Sequence, residues 1–259
     1  MKVERFDLKK ISDSRGSLSF VENGAPLPFD IDRVIFIRGE EVSHFTAEEI
    51  QHPNKLFAIA LSGSCTIRVS EGELSEDLHL EGADCGVCIH HPYSQCDFTL
   101  SADAVVLLLL SFEAQREELS SKKIGQSSKV DQCRIVELNR NDMGVSLTNG
   151  CNLPFDIKRA YYLYDVPAEE RRGAHAHKEL YQLIIPLNGS FDVVLDDGSQ
   201  KQRFSLTEPD KALQIVPGMW RDIENFSSKE AICLVLASML YSEADYIRNY
   251  EDFLDYKTL

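Results

Sequence analysis

An internal repeat constrains this chain more than any other feature of its sequence. The segment Leu27–Ile31 (LPFDI) recurs 126 residues later as Leu153–Ile157, and the same offset still matches Ser101 with Ser227. Self-similarity at a fixed period is the signature of a duplicated structural unit. The sequence therefore predicts two copies of one unit.

A polar segment rich in Ser and Lys, Ala114–Gln132, separates the two copies. Its composition is typical of a linker, and its first part predicts a short helix. We therefore place the boundary near residue 125, with domains at residues 1–125 and 126–259. The length of 259 residues accommodates two domains of this size.

Each copy contains short β-rich runs separated by turn residues. In the second copy, Asn188-Gly189 and Asp197-Gly198 predict β-hairpins. The predicted strands around them are Tyr181–Ile185, Phe191–Leu195, Ala212–Val216 and Ala231–Ala237. This spacing favours an all-β sandwich or small barrel. One long helix is predicted over Glu243–Tyr256, with Ser242 as its N-cap.

The composition excludes several classes of partner. The net charge of −15 argues against a nucleic-acid or anionic-membrane surface. The longest apolar run, Ala104–Leu110, is too short to span a bilayer, and the N-terminal sequence lacks a signal-peptide pattern. Seven scattered cysteines favour a reducing compartment. We expect a cytoplasmic protein with no nucleic-acid or membrane partner.

The densest polar cluster lies in the second copy, at Arg171–Lys178 (RRGAHAHK). On a strand, residues i and i+2 point to the same face, so His175 and His177 are expected side by side. Two imidazoles on one face suit metal binding or proton transfer near neutral pH. A third interpretation is a pair of solvated surface histidines.

Several segments resemble known proteins. The His-x-His pattern, Gly189 and Pro217–Trp220 resemble the two-part signature of the cupin superfamily. The segments Leu153–Pro167, Arg171–Gly198 and Leu236–Phe253 are similar to the nucleotide-linked sugar 3,4-ketoisomerases of the WxcM-like family. The resemblance implies two tandem cupin (jelly-roll β-barrel) domains with a C-terminal helix. It also implies conversion of a dTDP-linked 4-keto-6-deoxyhexose to the 3-keto sugar through an enediol, in deoxysugar synthesis for a surface glycan.

Two positions argue against a metal or other cofactor at this site. Where metal-binding cupins have a Glu and a final His, this chain has Gln182 and Arg221. A neutral amide is a poor metal ligand, and a guanidinium cannot bind a cation. Acid–base histidines, as the resemblance implies, are therefore favoured.

The resemblance and the residue chemistry together suggest a set of site residues. We predict His175, His177 and Tyr162 as catalytic, without assigning which histidine removes the C3 proton. The alternative interpretation of Tyr162 and Tyr164 is that they are core residues. The alternative interpretation of Arg159 is that it forms a structural ion pair. The resemblance implies that Arg221, which follows the Trp of the second motif, places the chain among the family members whose product has the gluco configuration. The predicted substrate-binding residues are Arg159, Tyr164, Arg172, Lys178, Gln182, Trp220 and Arg221.

The first copy lacks this chemistry. The offset places Glu49 and Gln51 at the histidine positions, and Ser94 and Gln95 at Trp220 and Arg221. We interpret the first copy as a built-in partner that makes the chain a pseudo-dimer, with a second ligand site as the alternative. A homodimer of the whole chain is a further possibility.

One short motif departs from this division. The Asp13–Gly16 segment (DSRG) of the first copy resembles the family, whereas the second copy has Asn141–Gly144, with Met143 in place of the Arg. This departure favours one alternative, a non-catalytic sugar-nucleotide-binding module. A metal-dependent bicupin is the other alternative.

The Cys85–His91 segment (CGVCIHH) has a zinc-like Cys-x2-Cys spacing. It aligns with a predicted strand of the second copy and has no second Cys pair nearby. Small buried cysteines are therefore favoured over zinc there.

Overall fold

The computed structural model describes residues 2–24, 26–112, 125–149, 153 and 155–258. Within these ranges the chain is mostly β-strand, with one α-helix near the C-terminus. The predicted all-β class with a C-terminal helix is confirmed. The short helix predicted from Ala114 falls on residues outside the described ranges.

The strands are numbered along the chain. The first twelve are β1 (Lys2–Asp7), β2 (Lys10–Asp13), β3 (Gly16–Asn23), β4 (Pro26–Leu27), β5 (Arg33–Arg38), β6 (His44–Thr46), β7 (Lys55–Ser62), β8 (Ser64–Glu71), β9 (Leu74–Glu81), β10 (Cys85–His90), β11 (Gln95–Leu100) and β12 (Val105–Ser111). The others are β13 (Arg134–Glu137), β14 (Asn139–Asn141), β15 (Gly144–Thr148), β16 (Arg159–Tyr164), β17 (Arg172–His177), β18 (Gln182–Asn188), β19 (Phe191–Asp196), β20 (Lys201–Leu206), β21 (Lys211–Ile215), β22 (Trp220–Glu224), β23 (Ile232–Ala237) and β24 (Tyr246–Ile247), followed by helix α1 (Tyr250–Thr258).

The described residues form two compact units that exchange segments. Unit 1 contains those within 2–10, 21–112 and 138–153, and unit 2 those within 11–20, 125–137 and 155–258. Strands β14 and β15, from the second copy, therefore belong to unit 1. Residues 11–20, from the first copy, belong to unit 2. The linear domains 1–125 and 126–259 stay a prediction, because they group residues by repeat and the units group them by contact.

Unit 1 consists of two sheets that enclose an apolar interior. Their strand orders are β1-β10-β7-β12-β5-β15-β14 and β6-β11-β8-β9. Alternate residues of both sheets point inward, as the two-residue period of a strand requires. Phe45 and Phe98 stack there with ring centroids 4.3 Å apart. The interior is filled by such side chains.

Unit 2 has the same two-sheet arrangement. One sheet has the order β13-β21-β18-β23-β16-β3-β2, and the other β20-β19-β22-β17-β24. Its apolar residues again lie between the sheets. Unit 2 also contains buried polar residues of neighbouring strands: Arg159, His177, Gln182 and Arg221.

The two predicted hairpins have different outcomes. Asp197-Gly198 connects β19 to its neighbour β20, which pair through Asp196 and Lys201. Asn188-Gly189 does not form a hairpin, because β18 and β19 belong to different sheets. The turn there, with Gly189 at φ 64°, carries the chain from one sheet to the other.

The long C-terminal helix is shorter than predicted. Residues Glu243–Asp245 form a 3₁₀ turn, and β24 then pairs with β17. The α-helix begins at Tyr250, where Asn249 Oδ1 accepts the backbone N–H groups of Glu251 and Asp252. Ser242 makes no side-chain cap. Within the described residues, no helix has the length and apolar character needed to cross a bilayer.

The repeat offset is not constant in the structure. Phe98 pairs with Ile67 in unit 1, and Ile223 pairs with Val193 in unit 2. Ile67 and Val193 are separated by the 126-residue offset, but their partners Phe98 and Ile223 are separated by one residue less. Strands β11 and β22 therefore correspond at an offset one residue shorter. The gap-free register predicted from the sequence is wrong at this strand.

Candidate active site

A bulge in β17 positions the first histidine. The pairing of β17 with β22 shifts between Gly173 and His175, and such bulges reorient side chains near functional sites. Gly173 has φ 106°, and a Cβ there would lie 2.5 Å from the Arg221 carbonyl oxygen, so glycine is required. The rings of His175 and His177 lie 5.0 Å apart and nearly perpendicular. The i, i+2 spacing thus brings the two imidazoles together.

Asp245 determines the tautomer of His177. Nδ1 of His177 lies 2.8 Å from Asp245 Oδ2, and the other carboxylate oxygen accepts the backbone N–H of Glu179. Burial raises the pKa of Asp245, but these hydrogen bonds lower it more, and the pKa lies below its ordinary value. The ionised carboxylate only accepts, so His177 Nδ1 carries the hydrogen. Nε2 of the neutral ring then has the free lone pair.

Arg221 determines the tautomer of His175 in the same way. Nη2 of Arg221 lies 2.8 Å from His175 Nε2. A guanidinium only donates, so Nε2 accepts. Nδ1 of His175 lies 3.0 Å from the Gly173 carbonyl oxygen and donates to it. Both histidines therefore carry their lone pair on Nε2, but that of His175 is occupied by the Arg221 donor, whereas that of His177 is open.

Both rings are neutral near pH 7. Burial lowers the pKa of His175 well below its ordinary value, and the charge of Arg221 lowers it further. Burial also lowers the pKa of His177 to about 4, although the hydrogen bond to Asp245 acts in the opposite direction. Neither ring thus needs to lose a proton before it can accept one, and the His177 ring has its acceptor atom open.

Strand β16 contributes Arg159 and Tyr161 from one face. The Tyr161 hydroxyl accepts a hydrogen bond of 2.7 Å from Gln182 Nε2 and one of 3.4 Å from Arg221 Nη1. The Arg159 guanidinium lies 5.3 Å from the centroid of the Tyr161 ring, within cation–π range. Tyr161 thus links three of the predicted residues.

Tyr246 of β24 completes the cluster. Its ring centroid lies 4.3 Å from that of His177 and 5.1 Å from that of His175. The Arg248 guanidinium lies 4.1 Å from its ring centroid. The histidines are therefore packed against an aromatic ring, which lowers the local polarity.

Three buried nitrogen atoms of this cluster have no hydrogen-bond partner among the described residues: Arg159 Nε, His177 Nε2 and Arg221 Nε. Buried polar groups normally have partners, so these atoms are suited to a bound ligand. The donor set does not fit a metal ion, because the Arg221 guanidinium occupies the lone pair of His175. The arrangement fits proton transfer beside a developing negative charge.

The predicted site residues Tyr162 and Tyr164 lie outside this cluster. Tyr161 and Leu163 face the interior, so the alternate positions Tyr162 and Tyr164 face the other side of β16. The Tyr164 hydroxyl lies 3.2 Å from Ser19 Oγ. The sequence showed three tyrosines but not which face of the strand points inward.

Trp220 and Lys178 are also outside the cluster. Trp220 precedes the inward-facing Arg221, and it packs instead on Tyr250 and Phe253 of α1. The exposed Lys178 donates from its ammonium group to the Ala244 carbonyl, at 2.7 Å. Both side chains support the loop and helix behind β17.

Arg172 contacts the exchanged segment. Its Nη1 donates to Asp13 Oδ1 at 3.1 Å, and Arg15 donates to Asp13 Oδ2 from Nε and Nη2. The Asp-Ser-Arg-Gly segment thus lies in the unit that carries the histidines. Met143, from the divergent segment, packs against the core of unit 1.

Sequence reasoning missed Tyr161, Asp245 and Tyr246. Tyr161 lies two residues after Arg159, so the parity of a strand already linked them. Asp245 and Tyr246 were hidden within a predicted helix, which the structure replaces with a turn and a strand.

Both halves of the chain are similar to known proteins. The family model described as "FdtA: WxcM-like, C-terminal" matches residues 1–119 and again residues 128–258. The TDP-4-oxo-6-deoxy-alpha-D-glucose-3,4-oxoisomerase of Aneurinibacillus thermoaerophilus is 46% identical over 112 residues, which cover 43% of this chain and 80% of that protein.

Two solved structures are also similar. The TDP-quinovose 3,4-ketoisomerase of Campylobacter jejuni is 45% identical, covers 48% of this chain and 97% of its own, and has a TM-score of 0.45. A sugar 3,4-ketoisomerase of Thermoanaerobacterium thermosaccharolyticum, in complex with TDP, is 36% identical, covers 49% and 94%, and has a TM-score of 0.45.

Proposed function

Because the chain belongs to the WxcM-like, C-terminal family, we propose that unit 2 converts a dTDP-linked 4-keto-6-deoxyhexose to the 3-keto sugar. The family recognised in the sequence is confirmed. The reaction is an internal redox exchange: C3 is oxidised and C4 is reduced, so no external electron carrier takes part. One proton leaves C3, an enediol forms, and one proton is added at C4.

The histidine pair is the observation that carries the proposal. Two neutral rings lie 5.0 Å apart, and Nε2 of His177 is an open proton acceptor, while Nε2 of His175 accepts a hydrogen bond from Arg221. One ring removes the C3 proton, and the electron pair of that bond moves toward the C4 oxygen. The pair then transfers a proton between the two oxygens and returns one to C4. Asp245 holds His177 in the tautomer that this requires.

The charged groups around the histidines suit the enediolate intermediate. Arg159 and Arg221 are buried, and each has an unpartnered Nε. Preorganised donors at a desolvated site stabilise developing negative charge strongly. The Tyr161 hydroxyl, held by Gln182, is a further donor to a sugar oxygen.

Arg15 and Arg172 are our candidates for the diphosphate. Both guanidinium groups bind Asp13, which fixes them close together. Arg–phosphate pairs are strong charge-assisted hydrogen bonds. A local basic cluster of this kind is compatible with a chain of net charge −15. The cytoplasmic location and the built-in-partner role of the first copy stay predictions.

The binding-module alternative loses its support. It depended on Met143 replacing an Arg in the second copy. Because Met143 belongs to unit 1, the residue that bears on the histidine site is Arg15. We therefore keep the isomerase as the proposed function.

Incubation of the protein with dTDP-4-keto-6-deoxyglucose, followed by NMR of the products, tests the proposal. We expect a 3-keto sugar, and His175→Asn and His177→Asn to reduce turnover by about 10³-fold or more, the scale set by loss of acid–base groups. Gln51→Asn is the matched control in the first copy, because Asn tolerates the φ of 68° found there. A folded protein that yields no 3-keto sugar contradicts the proposal.

The same variants assign the two histidines. In D₂O, a variant that keeps the base still exchanges the C3 hydrogen of the substrate without forming product. The variant that lacks the base does neither. If both variants isomerise normally, neither histidine takes part.

A further inference from the structure

A second cluster of potential ligands lies in unit 1, away from the histidine pair. Strands β1 and β10 pair with Glu4 opposite Cys88 and Lys2 opposite His90. Directly opposed residues share one face of a sheet, so Glu4, Cys88 and His90 lie together. His90 Nε2 is 3.0 Å from Glu4 Oε2 and 3.4 Å from Cys88 Sγ. All three ligand atoms lie within 4.8 Å of one another.

These separations suit a shared zinc ion. Zn²⁺ binds thiolate, imidazole and carboxylate at about 2.3, 2.0 and 2.1 Å, in tetrahedral geometry. Two such ligand atoms are then about 3.3 to 3.6 Å apart. The observed contacts are close to these values, so small side-chain shifts accommodate the ion. A mixed sulfur, nitrogen and oxygen set favours zinc over the harder Mg²⁺ and Ca²⁺.

The burial of the three residues leaves one side open. Cys88 is fully buried, whereas the side chains of His90 and Glu4 are 14% and 35% exposed. A fourth ligand, water, can therefore reach the ion from solvent. Lys2 pairs with the other oxygen of Glu4, at 2.8 Å, which leaves Oε2 for the metal. Because the thiolate is the ligand form of cysteine, binding of the ion displaces the proton of the Cys88 thiol.

The cluster is not required by the fold. In unit 2 the corresponding strands β13 and β21 place Arg134 opposite Gln214, and neither residue is a good metal ligand. The cluster shares Cys88 and His90 with the Cys85–His91 segment, but it does not use the Cys-x2-Cys pair of that segment. Cys85 lies three residues before Cys88, on the other face of β10, and packs against the apolar core.

We propose that Glu4, Cys88 and His90 bind one Zn²⁺ ion, which links the N-terminal edge strand β1 to β10. Strand β1 is an edge strand and is hydrogen-bonded on one side only. A metal ion bound by residues of both strands adds a second kind of link between β1 and β10. The ion stabilises unit 1 and takes no part in the chemistry of unit 2.

Metal titration of the full chain tests this proposal. The protein is stripped with a chelator under reducing conditions, and Zn²⁺ or Co²⁺ is added. We expect one equivalent to bind, a thiolate-to-cobalt charge-transfer band, and a rise in melting temperature with Zn²⁺. Cys88→Ala removes the band, whereas Cys85→Ala, from the same strand but the opposite face, retains it.

Glu4→Gln provides a second test on a partly exposed side chain, in case Cys88→Ala does not fold. It should weaken Zn²⁺ binding by about tenfold or more. Absence of stoichiometric binding by the wild-type protein overturns the proposal. So does a cobalt band that survives in Cys88→Ala or an unchanged affinity in Glu4→Gln. These readouts do not depend on turnover, so they are independent of the proposed isomerase activity.

Discussion

The interiors of the two units show how one fold gained or lost a reactive site. At the repeat offset, Tyr161 and Gln182 of unit 2 correspond to Ile35 and Leu56 of unit 1, both buried in its apolar core. By strand pairing, the counterpart of Arg221 is the buried Cys96, not Gln95 as the gap-free register predicted. The inward positions are kept, but apolar side chains fill them. The fold needs the alternation of buried positions, and the chemistry needs polar groups at a few of them.

The strand that carries the histidines differs as well. In unit 1, β6 ends at Thr46, and Glu49 and Gln51 lie exposed in the turn that follows. Glu49 accepts the backbone N–H of Thr46, so it closes that turn. The first copy therefore lacks both the histidines and the strand that would present them.

The exchanged segments make the two halves complementary. The intact Asp-Ser-Arg-Gly segment of the first copy belongs to unit 2, and the divergent segment of the second copy belongs to unit 1. Unit 1 therefore lacks both the histidine pair and the Asp-Ser-Arg-Gly sequence, whereas unit 2 contains both.

The largest effect among the following changes should come from the group behind His177. Asp245→Asn leaves one oxygen for two N–H donors, those of His177 and Glu179, and turns an amide N–H₂ toward one of them. We expect kcat to fall by about 10²- to 10³-fold, as for a mispositioned catalytic imidazole. Steady-state kinetics with a circular dichroism check of folding measures this. Unchanged kcat would show that the tautomer of His177 is irrelevant.

A smaller effect on activity should distinguish Arg15, in the Asp-Ser-Arg-Gly segment, from Met143, in the divergent segment. Arg15→Met removes one proposed phosphate ligand, and we expect kcat/KM to fall by about tenfold, mainly through KM. Met143→Arg makes the reverse change in unit 1 and should leave both constants as they are. Equal losses in the two variants would contradict the assignment of the intact segment to the histidine site.

Moderate acidification should have the smallest effect on kcat/KM. A base with the ordinary histidine pKa of about 6.5 loses about tenfold in activity between pH 8 and pH 5.5. Both histidines have lowered pKa values, that of His177 to about 4. They stay neutral over this range, and activity is lost only as pH falls toward those values. We expect kcat/KM to change by less than about twofold from pH 8 to pH 5.5. A tenfold decline would show that the rings titrate normally.

The sequence alone determined the features that depend on local pattern. The duplication, the β-strands of the second copy and the pairing of His175 with His177 follow from residue type and spacing. The resemblance to cupins singled out Gln182 and Arg221 as poor metal ligands. Strand periodicity is local, so short segments encode it.

Tertiary structure decided what depends on partners distant in the chain. The inward face of β16 selects Tyr161 over Tyr162, and only the packed sheet defines that face. Asp245 reaches His177 because β24 pairs with β17, although the local pattern around it favours a helix. The exchange of residues 11–20 and the meeting of Glu4 with Cys88 depend on strand pairing across long stretches of chain. Such pairing is set by the burial of whole sheets, which no short segment contains.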